Sequence, residues 1–150
     1  NHYRVSVVMD GKTALQEITA NPPDIILLDI MMPGMDGYEV CQALKASPKR
    51  REIPVLFISG LTQSAEKIKA FEVGGVDYIP KPFEPQEILA RVRTHLSLAI
   101  MQKILQTNIK ELKEKNESLD KLNKLFVDRE FRIKQLKEEI KTLNNKLNPP

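Results

Sequence analysis

The stretch that most constrains the fold is DIILLDIMMPGMDG, residues 24–37, in which four branched apolar residues run directly into an acid, Asp29. A continuous apolar run of this kind is typical of a parallel strand that is covered on both faces. Such a strand excludes charge from its interior, because an unpaired buried carboxylate is costly. Asp29 is therefore expected to end the strand and to have a function at the edge of the sheet.

Short apolar runs alternate with helical patterns from residue 4 to residue 83. The runs RVSVVM, PDIILLDI, IPVLFIS and DYIP indicate strands, and KTALQEITA, GYEVCQALKAS and SAEKIKAFEVGG indicate helices. Alternation at this spacing is typical of βαβ units, which build a parallel sheet with helices on both faces. The helical residues expected to face inward are Ala14, Leu15 and Ile18 in the first helix, and Val40, Cys41 and Leu44 in the second.

The chain changes character at Pro85, because no Gly or Pro follows until Pro149. The segment EPQEILARVRTHLSLAI begins there as an amphipathic helix. Its residues Ile88, Leu89 and Val92 are available to pack on the sheet. A single long helix is therefore predicted after the last strand.

A heptad repeat extends through the rest of this helix. With Leu98 at position a, all eight a positions are apolar, and four of the seven d positions are apolar as well. A strict seven-residue repeat predicts a left-handed coiled coil, and we favour a homodimer. The a positions are Leu98, Leu105, Leu112, Leu119, Phe126, Ile133, Ile140 and Leu147; the polar d positions are Asn108, Lys115 and Arg129.

The two parts of the chain also differ in their balance of charged residues. Residues 1–100 have 11 Lys or Arg and 12 Asp or Glu, whereas residues 101–150 have 12 and 8. The tail interleaves its charges, as in IKELKEKNESLDKLNK, which indicates a solvated helix face and not a site for direct nucleic-acid binding. No dense basic block precedes the heptads, so a basic-zipper DNA-binding protein is disfavoured. One cysteine and no apolar run near ~20 residues favour a cytoplasmic protein without a disulfide framework or a membrane span.

Three polar side chains are predicted to meet at one edge of the sheet. Asp29 ends one strand, Ser59 ends the next, and Lys81 follows the last in DYIPKPF. Ligands bind parallel α/β sheets outside the carboxyl ends of the strands, so this edge is the expected site. A carboxylate can attack phosphorus to form an acyl phosphate, and an ammonium and a hydroxyl can hold the phosphoryl oxygens. A divalent cation would offset the crowded negative charge.

The motifs around these residues resemble those of a known family. LLDIMMPGMDG, PVLFISG and DYIPKPF, in this order and spacing, resemble the response-regulator receiver domain of two-component signalling. The resemblance implies a flavodoxin-like α/β receiver domain, which we assign to residues 1–97. Residues 98–150 are then the coiled-coil helix.

The resemblance also implies a role for each site residue. It makes Asp29 the phosphoacceptor, Ser59 the hydroxyl that moves to meet the phosphoryl group, and Lys81 the ion-pair partner. Tyr78 matches the aromatic switch residue that turns inward, although an aromatic residue on an edge strand can equally be a packing residue. The Lys81-Pro82 pair matches a peptide bond that is cis in the family. Cys41 and His95 are interpreted as structural, and His2 has no assigned role.

The resemblance implies a Mg²⁺ ion as well, with Asp29 and the backbone carbonyl of Met31 as ligands. Family members begin with a strand that ends in an acidic pair, followed by a helix, and no such segment precedes Tyr3. The acidic pair supplies the main metal ligands, so we expect the metal to be held poorly. The absent strand is central in the family order 2-1-3-4-5, so the sheet would close up, accept a strand from a partner, or be completed by upstream residues. We favour upstream residues in the natural protein, and weak or absent phosphorylation of the 150 residues alone.

These patterns predict a phosphoacceptor module, itself not an enzyme, that receives its phosphoryl group from a histidine kinase or a phosphotransfer protein. Its state would pass through the final helix and the coiled coil to an output domain, for example a kinase or a cyclase. The alternative is a dimerisation scaffold with the receiver shape and no phosphoryl chemistry, which would not respond to Asp29→Asn. An aspartate-nucleophile phosphatase is disfavoured, because the position two residues after Asp29 is Met31.

Overall fold

The structure, a computed structural model, describes residues 3–60 and 64–147, with side chains to residue 144. Its elements in chain order are α1 (Gly11–Ala20), β1 (Ile26–Asp29), α2 (Gly37–Lys45), β2 (Val55–Ser59), α3 (Ser64–Glu72), β3 (Asp77–Pro80) and α4 (Pro85–Leu147). The chain divides into two units, with the boundary between Gln102 and Lys103. The side chain of Leu147, the last predicted a position, and His2 lie outside the described part.

The three strands form one parallel sheet in the order β1-β2-β3. Leu28 of β1 pairs with Phe57 of β2, which in turn pairs with Tyr78 of β3. Each strand is followed by a helix before the next strand begins, as in βαβ units. The predicted parallel sheet with intervening helices is therefore confirmed.

Both faces of the sheet are covered, but by unequal amounts of protein. Residues that alternate along a strand point to opposite faces, and Val55 and Phe57 belong to a large cluster with side chains from α1, α2 and α3. Leu56 belongs to a smaller cluster with Ile79 of β3 and Val92 of α4. The predicted inward residues of α1 and α2 lie in the large cluster or against it: Ala14, Leu15, Ile18, Val40, Cys41 and Leu44.

In the first turns of α4, the side chains that pack on the sheet are four residues apart. Ile88, Val92 and Leu96 lie in the smaller cluster or against it, so they occupy one helical stripe. The prediction that Leu89 packs on the sheet is wrong, because its side chain is 42% exposed. Leu89 follows Ile88 directly and is therefore turned away from that stripe.

The prediction of a first strand in RVSVVM is also wrong. Residues 3–8 have no regular secondary structure, and Val5, Val7 and Met9 are 76%, 78% and 81% exposed. Within residues 3–60 and 64–147, β2 is the only strand that pairs with β1. A strand needs hydrogen bonds from a neighbour, and the described sheet offers residues 3–8 no such partner. Apolar alternation alone is therefore not enough to form a strand.

Local signals explain where the helices begin and end. Asp10 caps α1, because its carboxylate accepts hydrogen bonds from the backbone N–H of Thr13 at 2.9 Å and from the Thr13 hydroxyl at 2.8 Å. After α3, Gly74 adopts a φ of 96°, a left-handed conformation that glycine tolerates without steric cost. The chain can therefore turn sharply from α3 into β3.

The second unit continues α4 without interruption to Leu147, as predicted. Its described apolar residues are exposed, including Leu112 at 61% and Leu119 at 55%. Pairing of this helix with a second copy stays a prediction. No helix in the described ranges is both long and apolar enough to cross a membrane.

Candidate functional site

The ends of the three strands bring the predicted site residues to one edge of the sheet. Asp29 is the last residue of β1 and pairs with Ile58, and Ser59 is the last residue of β2. Lys81 follows β3 directly, and its backbone N–H donates a hydrogen bond to the carbonyl oxygen of Ser59 at 2.8 Å. The register of a parallel sheet therefore places the carboxylate, the hydroxyl and the ammonium on neighbouring strand ends.

Asp29 and Lys81 form a direct ion pair. The Lys81 Nζ atom donates to Asp29 Oδ2 at 2.5 Å, and the backbone N–H of Met31 donates to Asp29 Oδ1 at 3.1 Å. The Lys81 side chain is 43% exposed and the Asp29 side chain is 37% exposed. An ion pair this accessible to water contributes about 0–1 kcal/mol to stability. The ion pair matters more for chemistry than for stability, because it orients the Asp29 carboxylate while leaving it accessible to solvent.

Ser59 and Tyr78, unlike this exposed pair, are buried. Ser59 is fully buried, and Tyr78 is 6% exposed and packs in the large cluster. The ammonium group of Lys67 lies over the Tyr78 ring, 5.8 Å from its centroid. Tyr78 thus points inward, a position that fits both its predicted switch role and a packing role. The roles of the site residues stay predictions.

The loop after Asp29 is held against the strand by a glycine and a helix cap. Gly37 donates its backbone N–H to the carbonyl oxygen of Ile30 at 3.0 Å, and a Cβ atom at Gly37 would lie 2.3 Å from the carbonyl oxygen of Asp29. Asp36 and Glu39 form a reciprocal capping box at the start of α2. Only glycine allows α2 to begin this close to the backbone of Asp29. The Lys81–Pro82 peptide bond at the same edge is cis, as the resemblance implied.

The residues present fit a Mg²⁺ ion poorly. The resemblance implies a Mg²⁺ ion at this edge of the sheet, and this ion prefers an octahedral shell of oxygen ligands. In the part of the chain that the structure describes, no group of three or more His, Cys, Asp or Glu residues could hold a metal ion. Asp29 supplies one carboxylate, and it is already paired with Lys81.

Sequence reasoning missed a second charged group, which joins β3 to α4. Arg91 donates from one guanidinium nitrogen to both oxygens of Asp77, at 3.0 and 2.9 Å, and it also pairs with Glu87 at 2.8 Å. The Nε2 atom of His95 lies 3.1 Å from Asp77 Oδ2. His95, interpreted as structural, thus belongs to an ion-pair network. The one available signal was the Glu87–Arg91 spacing of four residues, which favours a helical ion pair.

This network changes the titration of Asp77. Burial by itself raises the pKa of this carboxyl group, but hydrogen bonds from Arg91, from the Tyr78 backbone and from His95 outweigh it and lower the pKa below its ordinary value. The hydrogen bonds to Asp77 and Glu87 raise the pKa of Arg91, so its guanidinium group stays charged. Asp77 is therefore a charged anchor between the last strand and the final helix.

A parallel α/β domain whose strand ends hold an accessible aspartate, a buried serine and a paired lysine has the architecture of a receiver domain. The family model described as the response regulator receiver domain matches residues 1–93. Because this match covers more than half of the chain, the chain belongs to the response regulator receiver family. The flavodoxin-like receiver fold that the sequence predicted is confirmed.

Named relatives and solved structures agree with this assignment. The response regulator PleD of Caulobacter vibrioides is 47% identical over 93 residues, which cover 62% of this chain and 20% of PleD. A probable cyclic di-GMP phosphodiesterase of Vibrio cholerae is 41% identical over 95 residues, covering 63% of this chain and 22% of that protein. The chain thus spans about a fifth of the length of these relatives. A putative response regulator from Chloroflexus aurantiacus has 39% identity and a TM-score of 0.58, with 60% of this chain and 74% of that chain covered.

Proposed function

We propose that Asp29 is the phosphoacceptor of a two-component phosphorelay, with a histidine kinase or a phosphotransfer protein as donor. The observation that carries this proposal is the solvent-accessible Asp29 carboxylate held against Lys81 at the strand ends of a receiver domain. In the reaction, an oxygen of Asp29 attacks the phosphorus of a phosphohistidine and forms an acyl phosphate. The phosphorus–nitrogen bond breaks, and its electron pair returns to the imidazole.

Lys81 and Ser59 would stabilise the product. Once Asp29 carries the phosphoryl group, the Lys81 ammonium pairs with a phosphoryl oxygen and so keeps its ion pair. The Ser59 hydroxyl, buried one strand away, reaches the same group through a movement of the chain at the end of β2. The receiver domain acts in this scheme as an acceptor and not as an enzyme.

Phosphorylation of the chain by a small phosphodonor tests the role of Asp29. After incubation with acetyl phosphate and Mg²⁺, intact-mass measurement should show a substoichiometric gain of one phosphoryl group, because the metal ligands are too few. Peptide mapping should place the label on Asp29. Asp29→Asn should remove the label, whereas Asp24→Asn, at the exposed start of the same segment, should leave it unchanged.

Two results would contradict this scheme in different ways. Label that persists in Asp29→Asn would show that Asp29 is not the phosphoacceptor of this chain. Stoichiometric labelling would instead show that the metal is held well by residues 1–150.

We propose further that α4 transmits the state of the site to an output domain. Asp77 precedes the predicted switch residue Tyr78, and its network with Arg91 and His95 fixes the first three turns of α4 to β3. A change at Tyr78 would therefore alter the packing of α4 residues beside β3. In the natural protein, we expect this helix to lead to an output domain such as a kinase or a cyclase, in the cytoplasm and without direct nucleic-acid contact.

The part of α4 in the second unit is proposed to form a homodimeric coiled coil. Its apolar a and d side chains are 41–61% exposed in the single helix, and an exposed apolar row of this length requires a partner surface. A second copy of the chain supplies such a surface. The residues concerned are Leu105, Leu112, Leu119, Leu122, Phe126, Ile133, Leu136, Ile140 and Leu143.

Sedimentation of the full chain tests this dimer. The wild type should sediment as a dimer, and Ile133→Lys, at an a position, should shift it to monomer. Val127→Lys is the control, because Val127 is an exposed apolar residue of the same helix at a b position, outside the seam. A monomeric wild type, or dissociation by both substitutions, would contradict a heptad-based dimer.

The second candidate function is a receiver-shaped dimerisation scaffold without phosphoryl chemistry. It is favoured by the poor fit of the described residues to a metal ion. The scaffold hypothesis expects the dimer and no labelling at all. It also expects Asp29→Asn to have no effect on any property of the chain.

A further inference from the structure

Tyr38 is a buried polar residue that the strand-end site does not use. It is 4% exposed, and its hydroxyl donates to Glu66 Oε2 at 2.6 Å, with the carbonyl oxygen of Glu66 3.1 Å away. Its ring lies 5.5 Å from the ring of Phe57, and the ammonium of Lys69 lies 4.2 Å from its centroid. Residues from β2 and α3 therefore hold a single side chain of α2 from several sides.

The position of Tyr38 links the two chain segments that leave the site. Tyr38 follows Gly37, the residue whose Cα approaches the backbone of Asp29. Glu66 is the third residue of α3, which begins five residues after Ser59. The hydrogen bond from Tyr38 to Glu66 thus joins the helix that follows the β1 end to the helix that follows the β2 end.

Few other contacts hold α3 in place. Ala70 is its only buried residue, whereas α2 buries five residues over the same length. Its large apolar residues Ile68 and Phe71 are 58% and 51% exposed. A helix with so little buried surface belongs to the least stable parts of a fold, so a single strong hydrogen bond has a large share in fixing it.

We infer that Tyr38 and Glu66 form a latch, supported by Lys69, which fixes the start of α3 to α2 and limits how far α3 can move. Loss of the latch frees α3 while the rest of the domain stays folded. Burial and the hydrogen bond to Glu66 raise the pKa of Tyr38, so the hydroxyl remains protonated and able to donate. The latch does not depend on whether Asp29 is phosphorylated.

Hydrogen exchange of the full chain tests the latch. Tyr38→Phe keeps the ring contacts with Phe57 and Lys69 but removes the donor. The amides of α3 should exchange about tenfold faster, as expected for loss of a hydrogen bond to a charged group, while those of α1 stay unchanged. Tyr3→Phe is the matched control, because Tyr3 is 41% exposed and lies outside the latch; it should leave α3 unchanged.

Substitution at the other end of the bond completes the test. Glu66→Ala removes the side-chain acceptor but leaves the backbone carbonyl oxygen of Glu66, 3.1 Å from the Tyr38 hydroxyl, so it should accelerate α3 exchange by less than Tyr38→Phe does. Glu66→Gln retains a side-chain acceptor and should stay close to the wild type. Unchanged α3 exchange in Tyr38→Phe and Glu66→Ala would overturn the latch. Equal acceleration in α1 and α3 would also overturn it, since that result indicates a general loss of stability. Neither measurement requires phosphorylation, so the outcome is independent of the role of Asp29.

Discussion

The two units of the chain differ in how far they bury their large apolar side chains. Up to Gln102, several large apolar side chains are fully buried, among them Phe57 and Leu44, although Phe71 is 51% exposed. After Gln102, comparable side chains such as Phe126 and Leu112 are each 61% exposed. Burying a Leu or Phe side chain contributes about 1.5–3 kcal/mol, so the first unit gains its stability within one chain. If the proposed dimer forms, the second unit obtains the same contribution from another chain.

A matched pair of phenylalanines gives the largest expected difference between the units. Phe57→Ala opens a cavity beneath Tyr38 and should lower the free energy of unfolding of the first unit by about 3–5 kcal/mol. Phe126→Ala should change it by less than about 0.5 kcal/mol. Urea denaturation followed by a probe in the first unit measures both. A comparable loss of unfolding free energy in Phe126→Ala would contradict this difference between the two units.

A methyl group at Gly37 tests how tightly the first unit is packed around its site. The added Cβ atom would lie 2.3 Å from the carbonyl oxygen of Asp29 and 2.9 Å from Cα of Ile30, so Gly37→Ala should cost about 1–3 kcal/mol. Gly60→Ala is the control, because a Cβ atom there meets no atom within 4 Å. Thermal unfolding should separate the two variants. Equal melting temperatures would mean that α2 does not pack against the backbone of Asp29.

Dilution distinguishes the units without any substitution. If the second unit is a coiled-coil dimer, each tenfold dilution lowers its stability by about 1.4 kcal/mol. The first unit, whose core lies within one chain, should unfold at the same temperature at every concentration. Circular dichroism melts over a hundredfold range should show one concentration-dependent and one concentration-independent transition. Two concentration-independent transitions would show that the second unit is not stabilised by association.

The smallest expected effect concerns the Asp77 network and its pH dependence. The pKa of Asp77 is lowered in the folded chain, so its stabilising contribution is complete well above the ordinary value of 3.8 and is lost as the pH falls through the lowered value. Asp77→Asn should therefore cost less than about 1 kcal/mol at neutral pH, and the difference from wild type should shrink towards pH 3. Urea denaturation at several pH values measures this difference, with the exposed Asp24→Asn as control. A difference that grows in acid would contradict the assigned direction.

Sequence reasoning succeeded where the signal is local and failed where it depends on a neighbour. The apolar spacing of α1 and α2 and the buried runs of β1 and β2 are all readable within a few residues. RVSVVM has the composition of a strand, but a strand requires hydrogen bonds from a second segment. The prediction for Leu89 failed for a related reason. Which side of α4 packs on the sheet depends on where the helix lies against β2 and β3, and not on the helix sequence alone.

The sequence by itself determined the alternation of strands and helices, the membership of the receiver family and the placement of Asp29, Ser59 and Lys81 at strand ends. These features follow from periodicity, apolar runs and short motifs, which need no knowledge of distant contacts. The tertiary structure decided the ion pair between Asp29 and Lys81, 52 residues apart, and the hydrogen bond between Tyr38 and Glu66, 28 residues apart. Such contacts depend on strand register and on how helices pack across a sheet, so only the folded chain specifies them.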